Sequence, residues 1–327
     1  MKILKSENNI SIALCTYNGG AFLAEQLESI AGQSLKPCEL VACDDGSTDN
    51  TVAVLEDFAR RAAFPVRIFR NQERLGPVQN FARAVSLCRG DYVALCDQDD
   101  IWEPEKLALS GQAMDRARER HGAAKPLLLH TDLMVIDAES HLVAPSLMQI
   151  QKIAHAAQEP LKTLLVQNFV TGCTVLVNRP LLEAALPVPE QALMHDWWFA
   201  LIAAALGELL FLPRPTVRYR QHGRNAVGAK RFFGGKNVAR LARVAQIEQM
   251  IASTIVQDLA LQERLVQLHQ RVPAYLAGFL QAARQGGKEA ASYARRCGIA
   301  KQGRLRNMLF LLLLLKAGYL KYLEDLK

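Results

Sequence analysis

Long apolar runs and paired cysteines are both missing from this sequence. The nearest candidate for a membrane span, residues 308–315, is closed by Lys316 and is far shorter than the 18 or more apolar residues that a transmembrane helix needs. The amino terminus has a short apolar run and no small-residue cleavage site, so we expect no secretory signal. The seven cysteines are odd in number and form no CxxC pair, which predicts reduced thiols in a cytosolic protein.

Internal repeats, low-complexity segments and the common phosphate-binding loops are also lacking. Neither a Walker A sequence nor GxGxxG follows the first predicted strand, so we expect no glycine-rich loop around phosphates. The composition is otherwise globular, with 327 residues of which 50% are hydrophobic and 22% charged. These values exclude a disordered, collagen-like or disulfide-scaffold chain and suggest one large or two ordinary domains.

Charge is distributed unevenly along the chain. The net charge is +7, yet the segment from Arg231 to the end holds 16 Lys and Arg against 6 Asp and Glu. The preceding 230 residues hold 23 basic and 26 acidic residues. A basic tail favours an anionic partner surface. We expect no nucleic acid there, because the tail has no nucleic-acid-binding motif and few aromatic residues.

Strand-like and helix-like patterns alternate over the first hundred residues. Apolar runs predict strands at residues 10–15, 39–43, 66–69 and 91–96, with helices between them and one from about Pro77. This series predicts an α/β fold with a mostly parallel, Rossmann-like sheet and helices on both faces. Further strands are predicted at residues 127–136, 174–177 and 217–219, with a helix at 195–206 and a helical region from Arg231 onward.

Three of the first four predicted strands end in polar segments. These are CTYNGG (15–20), DDGS (44–47) and DQDD (97–100). In open α/β sheets, ligands bind outside the carboxyl ends of the strands. Five carboxylates gathered there would repel one another, and hydrogen-bond donors or a cation would relieve the repulsion. Oxygen ligands favour a hard divalent cation such as Mg²⁺ or Mn²⁺, which would also hold substrate phosphates.

The three motifs CTYNGG, CDDGSTDNT and CDQDDIWEPEKL together resemble the family 2 glycosyltransferases, which have a GT-A fold. The resemblance covers roughly residues 8–225. MHDWW at 194–198 and YRQHGRNAVG at 219–228 are similar to the rhamnosyltransferase-like branch, which builds bacterial surface polysaccharides. That branch uses nucleotide-activated sugars, often dTDP-L-rhamnose, and inverts the anomeric centre.

The resemblance implies a nucleotide site at the ends of the first two strands. Thr16, Tyr17 and Asn18 would line the base and ribose, and Asp45 would accept a hydrogen bond from the pyrimidine N3–H. Asp44 would hold the turn.

Other residues are implied to hold the diphosphate and a metal ion. Asp97 and Asp99 match the DxD motif, so Asp99 would ligate the metal and Asp97 would reach the ribose or a metal-bound water. Asp100 would be an extra metal ligand or a helix cap before Pro104, and the cap is favoured. His222 would complete the metal site or touch the diphosphate, and a loop histidine facing solvent is the alternative.

Weaker assignments concern Asn80, Arg220 and Arg224. Asn80 would face the nucleotide from a helix, and the two arginines would either steady the diphosphate or remain surface charges.

Asp196 matches the general base of the family. A carboxylate there would take the proton of an acceptor hydroxyl, although a helix cap is the alternative interpretation. His195 would tune Asp196 or contact the acceptor. At most one of the adjacent Trp197 and Trp198 is expected to face a sugar, since core packing is commoner. Residues 171–173 would form part of the acceptor pocket.

These patterns predict a GT-A catalytic domain over residues 1–230, with a nucleotide half up to about 100 and an acceptor half beyond it. They predict an inverting, metal-dependent glycosyltransferase that moves a sugar from a dTDP- or UDP-sugar to a saccharide or lipid-linked acceptor. The alternatives are a sugar nucleotidyltransferase and a non-catalytic sugar-nucleotide-binding protein. The basic helical region, 231–327, would contact an anionic leaflet at the inner face of the cytoplasmic membrane, or else pack as an ordinary helix pair.

Overall fold

The computed structural model describes residues 9–223 and 240–325 of the chain. It divides into two compact units. The first comprises Met1–Ile150, Val170–Val188 and Met194–Gly223. The second comprises Gln151–Phe169, Pro189–Leu193 and Arg224–Lys327. The predicted division of function at residue 230, and that between nucleotide and acceptor halves, stay predictions.

The first unit is built on one sheet of nine strands. The strands are β1 (Ile10–Thr16), β2 (Glu39–Asp44), β3 (Val66–Arg70), β4 (Tyr92–Asp97), β5 (Ile101–Trp102), β6 (Leu127–Ile136), β7 (Leu142–Ala144), β8 (Leu176–Asn178) and β9 (Glu208–Arg220). Their order is β3-β2-β1-β4-β8-β6-β9-β5, with β7 paired to β6.

Helices fill most of the remaining chain up to Leu206. They are α1 (Leu23–Ala31), α2 (Thr51–Arg61), α3 (Gly76–Leu87), α4 (Lys106–His121), α5 (Leu147–Gln151), α6 (Pro160–Leu164), α7 (Arg179–Ala185) and α8 (His195–Leu206). The predicted α/β class is therefore confirmed, and the predicted bounds of β6 and α8 are those observed.

The first four strands pair in parallel, as predicted. Every residue of β1 and β2 is buried, because parallel strands are covered on both faces and therefore read as continuous apolar runs. Beyond β4 the sheet is mixed, since β8 is antiparallel to both β4 and β6. The amino-terminal half of the sheet is therefore parallel, and the remainder combines these antiparallel pairs with a parallel pair of β6 and β9.

Two predicted strands differ from the observed ones. A short 3₁₀ turn at Gly172–Thr174 stands where a strand from residue 174 was predicted, and β8 begins only at Leu176. The last strand is 13 residues long rather than the predicted three, because it pairs in parallel along the length of β6.

The second unit is helical, as predicted for the carboxyl-terminal region. Besides α6 it contains α9 (Arg240–Gln267), α10 (Ala274–Gln285), α11 (Gly287–Cys297), α12 (Arg304–Lys316) and α13 (Leu320–Asp325). Hydrogen bonds tie the segment 151–169 to this unit, for example from Lys301 Nζ to the carbonyl of Val166 at 2.6 Å. Among the described residues, no helix is both long enough and apolar enough to cross a bilayer.

Candidate active site

The sheet register brings the three polar segments to one edge. Thr16 at the end of β1 is opposite Asp44 of β2, and Cys15 is opposite Asp97 of β4. Since β1 lies between β2 and β4, the segments that follow all three strands leave the sheet side by side. This is the meeting of polar clusters that the sequence predicts.

Asp44 fixes the turn after β2. Its carboxylate accepts hydrogen bonds from Thr16 Oγ1 at 2.9 Å and from the backbone N–H of Ser47 at 2.9 Å. The side chain is fully buried. The interpretation of Asp44 as a turn residue is confirmed by these bonds.

Asp45 anchors the start of α3. Its Oδ1 accepts hydrogen bonds from Asn71 Nδ2 and from the backbone N–H of Leu75, each at 2.7 Å. Its Oδ2 accepts the backbone N–H of Gly76 at 2.9 Å. A carboxylate oxygen accepts up to two hydrogen bonds, so Oδ2 has capacity for one more donor.

Asn80 is buried behind Asp45, which differs from the predicted position facing a nucleotide. Its Oδ1 accepts from Asn71 Nδ2 at 2.9 Å, and its Nδ2 donates to the carbonyl of Cys43 at 2.9 Å. Because Asn71 also binds Asp45, Asn80 holds the partner of Asp45 in place. The helical position alone does not reveal this contact.

Tyr17 and Asn18 form a braced loop after β1. Gln98 clamps Tyr17 from both sides, since its Oε1 accepts the Tyr17 N–H at 2.8 Å and its Nε2 donates to the Tyr17 carbonyl at 3.1 Å. Asn18 has a φ of 48° and accepts the Thr48 N–H at 2.8 Å. The loop is therefore held by the two neighbouring polar segments.

Arg74 is a site residue that the sequence pattern did not reveal. Its guanidinium carbon lies 3.9 Å from the centroid of the Tyr17 ring, which is 37% exposed. The stack places a cation at the rim beside the predicted nucleotide contacts. In the sequence, only the basic residues of segment 70–74 could have indicated a cation at this position.

Asp97 joins the other site carboxylates electrostatically. Burial, and then the negative charges of Asp99 and Asp196, raise the pKa of Asp97 to about 7. Asp97, Asp100 and Cys173 each offer one ligand atom, and these atoms all lie within 4.8 Å of one another. A cation near this cluster would relieve the repulsion, because two close carboxylates do not both ionise readily.

Asp100 does not cap a helix, which corrects the sequence interpretation. It is fully buried at the start of β5, and its Oδ1 accepts the backbone N–H of Arg220 at 3.1 Å. The next helix, α4, begins six residues later at Lys106. Burial and the charges of neighbouring aspartates raise the pKa of Asp100 well above its ordinary value.

Asp99 and His222, the two predicted metal ligands, are in contact. His222 Nε2 lies 2.8 Å from Asp99 Oδ2. The imidazole also lies against Phe22, with ring centroids 4.7 Å apart. Carboxylate and imidazole are ligands that suit Mn²⁺ better than Mg²⁺, so the donor chemistry of this pair fits a divalent transition metal.

Arg220 is a structural residue rather than a phosphate ligand. Its buried guanidinium donates to the carbonyls of Asp99 and Ala138, each at 2.9 Å, and also binds Ser140 and Glu25. These bonds leave the guanidinium turned into the protein. Arg224, the other predicted phosphate contact, lies outside the described residues.

Lys106 is a second residue that the sequence did not single out. It is buried against the Trp102 ring, 4.8 Å from its centroid, and burial lowers its pKa to about 8. A negative charge on Asp100 acts in the opposite direction and raises the pKa of Lys106. Lys106 therefore offers partial compensation for a buried negative charge on Asp100.

Asp196 lies in the first turn of α8, where the helix dipole favours an anion. Its Oδ1 accepts the Trp197 N–H at 2.6 Å. A methyl group placed on Gly172 would lie 3.4 Å from Asp196 Oδ2. The glycine therefore keeps the space beside this oxygen open, and the predicted base and the predicted acceptor segment come together.

His195 is buried beside Asp196. Its ring stacks on Phe81 with centroids 3.9 Å apart, and neither ring nitrogen has a hydrogen-bond partner among the described residues. Burial lowers the pKa of His195 to about 3, so the imidazole is neutral at physiological pH. A methyl group on Gly172 would lie 3.0 Å from His195 Nε2.

Both tryptophans of MHDWW belong to the core. Trp198 is fully buried and donates through Nε1 to the carbonyl of Ala185 at 2.9 Å. Trp197 is also buried.

The seven cysteines are free thiols, and burial raises the pKa of Cys173 well above its ordinary value. Burial therefore disfavours the thiolate form, in which Cys173 could act as a nucleophile.

Two curated proteins illustrate the sequence relatives of this chain. An uncharacterised protein of Mycobacterium tuberculosis is 29% identical over 215 residues, which span 65% of this chain and 59% of that protein. The chain thus covers less than two thirds of that relative. The dTDP-rhamnosyl transferase RfbG of Shigella flexneri is 27% identical over 235 residues, or 68% of this chain and 76% of that protein.

Solved structures share the fold over nearly the whole chain. Staphylococcus aureus TarS 1-349, crystallised with UDP, matches with a TM-score of 0.55 and 18% identity over 97% of this chain and 91% of TarS. The mannosyltransferase PcManGT from Pyrobaculum calidifontis, in complex with GDP-Man and Mn²⁺, has a TM-score of 0.56 and 19% identity over 98% of this chain and 88% of its own. At these identities the likeness concerns the fold.

The family model "Glycosyl transferase family 2" matches residues 11–120, which contain β1 to β4 and all three polar segments. The family match, the sequence relatives and the shared fold agree with the motifs that first suggested the resemblance. Residues 11–120 of this chain therefore match the domain of glycosyltransferase family 2, in agreement with the relatives and the fold.

Proposed function

We propose that this chain is an inverting, metal-dependent glycosyltransferase. It transfers a sugar from a nucleoside-diphosphate sugar to a hydroxyl of a saccharide or lipid-linked acceptor. The observation that carries the proposal is that Asp97, at the sheet edge, lies near enough to Asp99 and Asp196 for their negative charges to raise its pKa. Asp97 thus connects Asp99, which is suited to hold a cation, with Asp196, which is suited to accept a proton. Ligands of α/β proteins bind at this edge of the sheet.

The donor base and ribose would lie against Thr16, Tyr17, Asn18 and Asp45. The remaining acceptor capacity of Asp45 Oδ2 supports a bond from the N3–H of a pyrimidine. The exposed Tyr17 ring, backed by Arg74, offers an aromatic surface beside it. Asn80 acts here as a positioning residue, because it holds Asn71 against Asp45.

A divalent cation would be held by Asp99 and His222, with Asp97 directed at the ribose or at water on the ion. When bound, such an ion supplies positive charge that stabilises the diphosphate leaving group. The protein's own part is to hold the two ligand side chains together, with Asp99 Oδ2 and His222 Nε2 2.8 Å apart. Mn²⁺ is favoured over Mg²⁺ by the imidazole.

Asp196 would act as the general base. Its carboxylate accepts the proton of the acceptor hydroxyl while that oxygen bonds to the anomeric carbon and the bond from this carbon to the phosphate oxygen breaks. One displacement inverts the anomeric centre and needs no covalent intermediate. The open space at Gly172 next to Asp196 Oδ2 supports the approach of an acceptor from that side.

A pyrimidine nucleotide donor is favoured. RfbG is named as a dTDP-rhamnosyl transferase, and TarS has been crystallised with UDP and with UDP-GlcNAc. We therefore propose a dTDP- or UDP-sugar, with L-rhamnose as the first sugar to test, for surface polysaccharide or lipopolysaccharide synthesis. A cytoplasmic location, with peripheral contact at the inner membrane face, is part of this proposal.

The alternatives differ in what they release or bind. A sugar nucleotidyltransferase would carry a basic glycine-rich loop after β1, and CTYNGG has no basic residue. A non-catalytic sugar-nucleotide-binding protein would have no need of the carboxylate set that joins Asp97, Asp99 and Asp196.

A donor screen by thermal shift with Mn²⁺ tests the proposal. We expect dTDP-L-rhamnose or UDP-GlcNAc to raise Tm and GDP-mannose to have no effect, with the gain lost in Asp45→Asn. A ligand at 100 times its Kd stabilises the folded state by about 2.7 kcal/mol, which is readily measured. Release of nucleoside diphosphate during turnover would identify a glycosyltransferase, whereas release of inorganic pyrophosphate would indicate a nucleotidyltransferase. Donor binding without any turnover or hydrolysis would favour the non-catalytic alternative.

A further inference from the structure

One face of helix α12 is both apolar and exposed. Its five residues, which we call the α12 stripe, have exposed fractions of 78%, 55%, 42%, 46% and 46% for Leu305, Met308, Leu309, Leu312 and Leu315. Spacings of three and four residues put all five on one side of the helix. The opposite side is already used, since Phe310, Leu313 and Leu314 are buried in the second unit.

Such a stripe is unusual on a protein surface. Single exposed leucines are common, but a contiguous row of five large apolar side chains marks an interaction surface. The stripe does not arise from a frayed element, because α12 is anchored by its buried side. We therefore expect a binding partner to cover the stripe.

Basic residues surround the stripe in sequence and at both of its ends. From Arg284 to Lys321, both included, the chain has nine Lys or Arg and a single acidic residue, Glu289. Arg304 and Lys316, the first and last residues of α12, are exposed on the same side of the helix as the stripe. The surface thus combines apolar side chains with positive charge.

Two of the basic residues that the sequence linked to membrane binding serve another purpose. Lys301 donates to the carbonyl of Val166, and Arg306 donates to the carbonyl of Gln151. They hold segment 151–169 within the second unit. Arg295, Arg296, Arg304 and Lys316 stay exposed, and of these Arg304 and Lys316 lie on the helix that carries the stripe.

We propose that the α12 stripe binds the surface of an anionic lipid bilayer, an inference that rests on the membrane contact included in the proposed function and assigns its site. The helix would lie parallel to the membrane, with Leu305, Met308 and Leu312 among the headgroups and upper acyl chains, while Arg304 and Lys316 contact lipid phosphates. The helix has 13 residues, which is too short for a span, so it can only lie on the surface.

Charge favours a lipid surface over a second copy of this chain. In a symmetric dimer the same patch faces itself, so the basic residues around the stripe would be brought together. Like charges across an interface weaken it. Anionic headgroups instead complement both the apolar stripe and its basic ends.

Vesicle flotation with the full chain tests this. We expect tight binding to vesicles in which one lipid in three is phosphatidylglycerol, and at least about tenfold weaker binding to pure phosphatidylcholine. Leu305→Glu and Leu312→Glu should each abolish binding. Arg304→Gln should weaken it severalfold. Val266→Glu, at a 59% exposed apolar residue of α9, and Arg271→Gln are the matched controls and should bind like the original chain.

Several results would overturn the proposal. Equal binding to neutral and anionic vesicles would show that charge does not contribute to binding. Normal binding by Leu305→Glu would show that the α12 stripe is not the binding surface. A dimer in light scattering that Leu312→Glu dissociates, without vesicle binding, would identify a second copy as the partner. Circular dichroism must show that each variant is folded. The assay uses neither donor nor acceptor, so its outcome is independent of the proposed transferase activity.

Discussion

Asp196 illustrates how neighbours decide what a carboxylate does. One of its oxygens is engaged by the helix, where Oδ1 accepts the Trp197 N–H. The other faces the space left by Gly172. Its negative charge is felt by Asp97, so it belongs to the same site as the predicted metal ligands. These three features together support the proposal that Asp196 is a base rather than a helix cap.

We predict that Asp196→Asn keeps donor binding and loses turnover. An amide cannot take the proton of the acceptor hydroxyl, so kcat should fall by about 10²–10⁴-fold while the donor Kd stays within a factor of two or so. Titration calorimetry and a nucleotide-release assay measure the two quantities. Asp57→Asn, at an exposed residue of α2, is the control. Near-normal turnover of Asp196→Asn would show that Asp196 is not the general base.

For single residues, the sequence predicted well which ones lie at the sheet edge. It predicted less well which groups each of them contacts there. Strand ends and the family resemblance were enough to bring Asp99 and His222 together. Asn80 and Arg220 make contacts other than the predicted ones, and Asp100 does not cap a helix, because each side chain is positioned by a partner distant in sequence. Asp100, for instance, binds a backbone N–H that is 120 residues away.

Helix α9 contains a buried acid with no evident use. Asp258 is fully buried, and neither carboxylate oxygen has a hydrogen-bond partner among the residues that the structure describes. Burial raises its pKa well above the ordinary value of 3.8. A folded-state pKa above that of the unfolded chain stabilises the fold at low pH, and this stabilisation is lost as the pH rises through the folded-state pKa.

We therefore predict that Asp258→Asn becomes increasingly more stable than the original chain as the pH rises. The difference should be small near about pH 4 and should grow toward about pH 9, at no more than ~1.4 kcal/mol per pH unit for one proton. Thermal unfolding at a series of pH values measures it. Glu263→Gln, at an exposed acid of the same helix, should show no such trend. A constant difference across the series would mean that Asp258 is not titrating.

Periodicity predicted the elements with strong patterns and missed those without one. The apolar run of β1 and the all-apolar face of α8 were recognised with nearly correct bounds. Strand β9 was predicted as only three residues, because Pro213 and Pro215 interrupt its pattern. The strand tolerates them at the irregular pairing with β6 near Thr131 and Asp132. Such a compensation depends on the partner strand and is invisible locally.

On the scale of the whole molecule, the two units carry different kinds of residue. The first contains the sheet and every described residue that we assign to the donor, the cation and the base. The second contains helices α9 to α13, the α12 stripe and most of the excess positive charge. The uneven distribution of charge along the sequence predicted that the carboxyl-terminal region differs from the rest. The inclusion of Gln151–Phe169 in the second unit was not predicted, because it depends on contacts with distant residues such as Lys301.

This contrast leads to a prediction about where a nucleotide acts on the chain. Hydrogen exchange with dTDP or UDP and Mn²⁺ should slow at residues 16–20, 44–49 and 97–100, because ordering of these loops suppresses their local opening. Helices α10 to α12 should exchange as before. Asp45→Asn should lose the protection, while Val266→Glu should keep it. Protection confined to the helices of the second unit would show that the nucleotide binds elsewhere, and the carboxylates of the sheet edge would then need another explanation.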